Sequence, residues 1–346
     1  MAEVGRAEKE KLKKILIVNV NWIGDVLFST PAIRALRRHY PNAHIACMIV
    51  PRCREVLELN PNINELIIYD EKGEYKGLTG KMRLISELKA RSFDIVFLFH
   101  RSLTRTLMVA LSGIKERVGI DNPKRGFLLS RKVLPQPPDI HKVEQFLNIV
   151  KVTGVRDNGK DMEVHVSKSD EAFAESFLKS QGIKKGEPFA ILNAGGNWDM
   201  KRWPAENFAK LCDLLAQKEI RPVIIGTKAD SEAADLVISM TRSKPVNLTG
   251  KTTITELAAL MKRMKCLVTS DSAPMHVAAA MKTPFVALFG PTDPARHLPP
   301  SQACAVVRKG LRCAPCYKPV CSDIRCMREI EVEDVMRSIE KLLAAR

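Results

Sequence analysis

Lys14-Ile-Leu-Ile-Val-Asn-Val-Asn-Trp-Ile-Gly-Asp25 places an apolar run of strand length directly before a polar turn, and a helical stretch from Pro31 to His39 follows. An apolar run without alternation belongs to a strand buried on both faces, the habit of parallel sheets. The strand is read from Lys14 to Val20. Gly24 allows a tight turn after it, and Asp25 then stands at the carboxyl end, where open parallel sheets bind ligands. A carboxylate there can take a proton from a sugar hydroxyl as general base, or it can simply cap the helix.

The same pattern recurs along the chain. Strands are expected at 45–50, 65–69 and 94–99, with a helix at 81–91. A second series begins with a strand at 189–193 and a helix at 205–218, where Phe208, Leu211, Leu214 and Leu215 share one face. Strands at 222–225, 266–269 and 285–289 follow, with helices at 231–240 and 255–263 between them. Two such series in 346 residues predict an α/β chain of two doubly wound, Rossmann-like domains, 1–160 and 161–346, facing across a cleft. The linker falls between Gly154 and Ser169, where Gly154, Asp157, Asn158 and Gly159 interrupt the pattern.

Lysine plus arginine outnumber aspartate plus glutamate 55 to 39, a net charge of +16 that favours anionic partners. Aromatic residues are only 5%, with no zinc-finger or RNA-recognition signature, which argues against nucleic acid. No apolar run is long enough to span a membrane, and the charged N-terminus lacks the apolar core and cleavage site of a secretory leader, so a cytoplasmic protein is expected. Cys313, Cys316, Cys321 and Cys326 are spaced more tightly than the usual structural zinc pattern and read as reduced thiols that stabilise a loop.

Chemistry concentrates in two further stretches. Asp271-Ser-Ala-Pro-Met-His276 leads into the apolar Val277 to Met281, with polar residues and a proline marking a helix start. Backbone amides at such a start, with the helix dipole behind them, suit a phosphate or diphosphate; His276 adds a donor one turn in. The loop Asn193 to Pro204 joins a strand to a helix and carries Gly195, Gly196 and the cations Lys201 and Arg202, which suit close approach to phosphates. Two nucleotide motifs fail: Pro245 occupies the first glycine position of a P-loop ending at Thr249-Gly-Lys-Thr252, and no G-x-G-x-x-G follows the first strand. An Asp-x-Asp pair of the kind that holds a divalent ion on a sugar nucleotide is also missing, so no metal and no cofactor are expected.

Taken in order, Asn21-Trp-Ile-Gly-Asp25 with Pro31 to Leu36, Lys201-Arg-Trp-Pro204, Asp271 to His276 and Phe289-Gly-Pro-Thr-Asp-Pro294 resemble family 9 glycosyltransferases, the ADP-heptose:lipopolysaccharide heptosyltransferases. The Trp-Ile-Gly-Asp form and the cysteine-bearing segment lean toward the heptosyltransferase II branch. The resemblance implies a GT-B fold, an acceptor bound mainly by the first domain, a sugar nucleotide bound by the second, and inversion at the anomeric carbon without a metal. It also implies a final helix, near Val335 to Leu343, that returns to the first domain. Residue by residue it implies Asp25 as base, Lys201 as catalytic cation on the diphosphate, and Asp271, Ser272 and His276 as donor contacts, with Gly196, Asn197 and Arg202 beside them. The implied partners are ADP-heptose, a lipid A–Kdo inner core and the cytoplasmic face of the inner membrane. The chain departs from the family at Ala273, where glycine is usual. Another GT-B nucleotide-sugar transferase or epimerase, and a basic nucleic-acid-binding protein, are the alternative readings.

Overall fold

The computed structural model describes residues 13–137 and 139–345; Arg6 to Lys11 of the charged N-terminal stretch lie outside them. The chain divides into two compact units, Met1–His165 and Val166–Arg346.

The first unit is built on a parallel sheet of β1 (Lys14–Val18), β2 (His44–Ile49), β3 (Glu65–Ile68), β4 (Ile95–Leu98), β5 (Glu116–Ile120) and β6 (Arg131–Val133), in the order β3-β2-β1-β4-β5-β6. Its main helices are α1 (Ile23–His39), α2 (Gly77–Arg91), α3 (Leu103–Leu111) and α4 (Lys142–Lys151). In register, Ile15 pairs with Ile45 on one side and Ile95 on the other. Leu84, Leu88, Met108 and Val109 bring α2 and α3 onto one face of this sheet, against Leu16, Val18, Met48 and Leu98.

Helix α1 starts earlier than its sequence suggests. Gly24 lies inside its first turn and not in a tight turn, and Pro31 sits mid-helix. A proline there leaves the carbonyl four residues back without its amide. The Thr30 hydroxyl donates to that Leu27 carbonyl at 2.7 Å, so the helix continues. Thr30 Oγ1 also accepts the Glu163 amide at 3.0 Å, and the Glu163 carboxylate accepts from Arg34, Asn60 and Asn62. These bonds fasten Glu163 to the first unit, which ends at His165.

The second unit opens with a capping box, Ser167 and Asp170, ahead of α5 (Lys168–Ser180). Its sheet comprises β7 (Phe189–Asn193), β8 (Arg221–Ile225), β9 (Val246–Asn247), β10 (Cys266–Ser270), β11 (Phe285–Phe289) and β12 (Cys304–Arg308), in the order β12-β11-β10-β7-β8-β9. Helices α6 (Ala205–Gln217), α7 (Ser231–Met240), α8 (Ile254–Met261), α9 (Ala273–Ala280) and α10 (Val332–Ala344) complete it. Helix α10 buries Val335, Met336 and Ile339 in the second unit's core, against β11, β12 and α6.

Both sheets have the same winding, with the strand order reversing between β1 and β4 in one and between β7 and β10 in the other. Ligands of open α/β sheets bind at the carboxyl ends of strands beside such a reversal.

Candidate active site

In the first unit the loop after β1 is held from several sides. Buried Asn19 donates to Ser29 Oγ at 2.9 Å, and Arg105, buried on α3, donates to Asn21 Oδ1 at 2.8 Å and to the Asn19 carbonyl at 3.3 Å. Arg52 donates to the Asn21 carbonyl at 2.7 Å and lies 4.2 Å above the Trp22 ring. This loop delivers Asp25 to the first turn of α1, where a carboxylate meets the positive end of the helix dipole. The Asp25 side chain is 24% exposed and its Oδ1 accepts from Lys142 Nζ at 2.6 Å.

Lys142 escapes sequence reasoning because 117 residues separate it from Asp25. It is the first residue of α4. His141 caps that helix, its Nδ1 accepting the Val143 amide at 3.2 Å, and its ring stands edge-on to Phe28, one turn along from Asp25. The lysine backbone is therefore anchored to the helix that carries the carboxylate.

In the second unit, the loops after β7 and β10 meet at the strand reversal. Lys201 Nζ lies 2.7 Å from Asp271 Oδ2 and 3.2 Å from the Asp271 carbonyl. Asp271 is only 7% exposed. Burial works against its carboxylate, but the Lys201 ammonium, with His276 and His297, outweighs that and holds the carboxyl below its ordinary pKa. Of the three ammonium protons, two are spent on Asp271, which leaves one for a ligand. Lys201 also lies 5.1 Å above the Trp198 ring.

Ser272 caps α9 in an extended conformation, but its hydroxyl makes no capping bond. It joins Asn193 (2.9 Å) and Thr269 (2.9 Å) in a network that ties β7 to β10. Pro274 carries no amide proton and the Met275 amide goes to the Ser272 carbonyl, so an anion at this helix start would meet the amides that precede the proline. Ala273 is the first helical residue and its φ is not positive, so the alanine fits without strain where the family usually has glycine. His276 is buried one turn into the helix.

Arg202 faces inward. It donates to the Gly196 carbonyl at 2.9 and 3.2 Å and approaches Asp199 at 3.1 Å and Asp230 at 3.6 Å. Gly196 has a φ of +149°, which favours glycine, and a side chain at Gly195 would come within 2.2 Å of Asp230 Cγ. Asp230 accepts from the Gly196 amide, the Thr227 amide and the Thr227 hydroxyl, bonds that, against its burial, keep its carboxyl below the ordinary pKa. Asp230 belongs to a Thr227–Asp230 capping box, a spacing legible in the sequence but not singled out there. Asn197 is exposed at the loop tip.

Cys313, Cys316, Cys321 and Cys326 are free thiols, and among the described residues no three or more His, Cys, Asp or Glu side chains are grouped to hold a metal ion.

Two doubly wound parallel sheets in one chain, one presenting a carboxylate at its reversal and the other a cation and a helix start, define a glycosyltransferase of the GT-B fold. The chain belongs to glycosyltransferase family 9 (heptosyltransferase), whose model matches residues 81–325. It is 27% identical over 308 residues to lipopolysaccharide heptosyltransferase 2 of Escherichia coli K12, covering 85% of this chain and 88% of the relative. It is 29% identical over 333 residues to lipopolysaccharide heptosyltransferase 3 of the same strain, covering 92% and 95%. Among solved structures, a family 9 glycosyltransferase from Veillonella parvula superposes with a TM-score of 0.87 at 27% identity, covering 96% of this chain and 98% of that one.

Proposed function

We propose that the protein transfers heptose from ADP-L-glycero-D-manno-heptose to the inner core of lipopolysaccharide, inverting the anomeric carbon and using no metal. The reading rests on one observation above all: within a family 9 chain, Lys201 and Asp271 pair beside the α9 start at the strand reversal of the second unit. Lys201, with the amides before Pro274, stabilises the departing ADP as negative charge develops on it. Ser272, His276, Gly196 and Asn197 complete the donor contacts, while Arg202 and Asp271 hold Gly196 and Lys201 in place.

Asp25 takes the proton of the attacking acceptor hydroxyl, oriented for it by Lys142. The first unit receives the acceptor, a lipid A–Kdo glycolipid at the cytoplasmic face of the inner membrane, and the basic chain suits that anionic partner.

The test is turnover of purified enzyme with ADP-heptose and a Kdo-bearing lipid A acceptor in excess chelator. The product should carry one added heptose whose anomeric configuration, read by NMR, is opposite to the donor's. Retention of configuration, or dependence on an added divalent ion, would overturn this mechanism.

A further inference from the structure

Helix α3 is turned inside out for a surface helix. Its buried face carries Arg105 and Thr106 together with Met108 and Val109, whereas Leu103, Leu107 and Leu111, at a spacing of four, are exposed. A solvated helix normally shows charged residues on that side. The neighbouring α2 repeats the feature with Leu78, 76% exposed, and Met82, 55% exposed. The turn Gly126–Leu128 lies against α3 and adds Phe127, 75% exposed. Since α2 and α3 cover the same sheet face, their outward sides look away from it together. The result is an apolar strip of six large side chains within the first unit.

The charge carried by the segments themselves is of one sign. The segments that carry these side chains, 76–86, 99–115 and 122–134, contain ten lysines and arginines and no aspartate or glutamate. Two of the ten, Arg105 and Arg125, are buried, and Arg83, Arg131 and Lys132 pair with Glu74, Glu116 and Asp121 just outside the segments, so these elements carry an excess of cations. An apolar face on elements with excess cations matches a bilayer surface with acidic headgroups, where side chains enter the acyl boundary while lysine and arginine meet phosphate. Among the described residues no helix is long and apolar enough to cross a membrane, so contact through this face would be peripheral.

We infer that the outward faces of α2 and α3, with Phe127, form a docking surface for an anionic lipid bilayer. This deepens the proposed function, on which it rests for the membrane-borne acceptor, by naming the part of the chain that meets the membrane.

The experiment is sedimentation of the full chain with phosphatidylcholine vesicles, with and without phosphatidylglycerol, comparing wild type with Leu107→Glu/Phe127→Ser. Wild type should bind the phosphatidylglycerol vesicles and be released by high salt. The double variant should partition about tenfold more weakly or worse, with wild-type thermal stability, because both side chains are already exposed. It should also match wild-type turnover on a delipidated, water-soluble acceptor. Equal partitioning of the two proteins, or no wild-type binding to acidic vesicles, would overturn the inference. So would a concentration-dependent wild-type dimer that the double variant abolishes, since the strip would then be a self-association face. Vesicle binding is read without turnover, so a failure of the heptosyl reading, seen as inactivity of both proteins on the soluble acceptor, stays distinct from a failure of this surface.

Discussion

Replacing Lys201 by methionine keeps the length of the side chain and removes its charge, leaving the Asp271 carboxylate buried without its closest cation. Removing one partner of a buried ion pair typically costs 3–5 kcal/mol. The Lys201 side chain is 21% exposed, so water relieves part of that, and we expect a loss of about 2–4 kcal/mol. For a unit of this size the midpoint of thermal unfolding should fall by roughly 5–15 °C near neutral pH. The sign of the pH dependence is distinctive. In the wild type the Asp271 carboxyl lies below its ordinary pKa, so its contribution is present above the unfolded value and is lost only as pH falls through the folded one. In the variant, burial becomes the dominant influence and raises the carboxyl, so the folded state binds the proton more tightly than the unfolded state. Acidification should then favour the variant, and the gap in unfolding temperature measured at about pH 7.5 should narrow by about pH 5. Calorimetry on the same protein should show weaker ADP binding, because the one ammonium proton left for a ligand is gone. A variant as stable as wild type, or a gap independent of pH, would refute the buried-pair argument; unchanged ADP affinity would place Lys201 outside the donor site.

Lys142→Met should lower kcat roughly 10- to 100-fold by releasing Asp25 from its orientation, with ADP affinity unchanged and substantial rescue in Lys142→Arg; steady-state kinetics alongside calorimetry checks both. Burial of part of the Glu163 side chain works against its charge, yet the Arg34 hydrogen bond and the nearby Arg34 and His165 bring its carboxyl down to about 2. Its stabilisation is therefore present above the ordinary value of 4.5 and disappears as pH falls toward about 2, so Glu163→Gln should cost up to about 3 kcal/mol at neutral pH and progressively less in acid, as followed by chemical denaturation.

The central strands of both sheets were readable because β1, β2, β7, β10 and β11 are nearly unbroken apolar runs buried on both faces. Edge strand β3 was anticipated at 65–69, but β5 and β6 were not. β5 reads Glu-Arg-Val-Gly-Ile and β6 reads Arg-Lys-Val, and a strand with one side near solvent loses the apolar signal. Helix α3 was hidden for the opposite reason, since its exposed leucines leave no polar stripe to set the period. Pro31 pushed the expected start of α1 forward by eight residues, and only the Thr30 hydroxyl bond explains why the helix tolerates it. At the site, Asp25, Lys201 and Asp271 to His276 were singled out because each lies in the segment that joins a strand to the next helix or at that helix's start. Lys142 and Asp230 were not singled out: they act through contacts made by folding, across 117 residues to Asp25 and 34 residues to Gly196.

We propose that a carboxylate of the first unit and a cationic helix start of the second serve one glycosyl transfer. The most direct measurement is turnover by Asp25→Asn with ADP-heptose and the Kdo-bearing acceptor, set beside its calorimetric affinity for ADP. The expected result is a fall of roughly 10²- to 10⁴-fold in kcat with ADP affinity unchanged. Turnover close to that of the wild type would remove Asp25 as the base, and with it the division of labour between the two units.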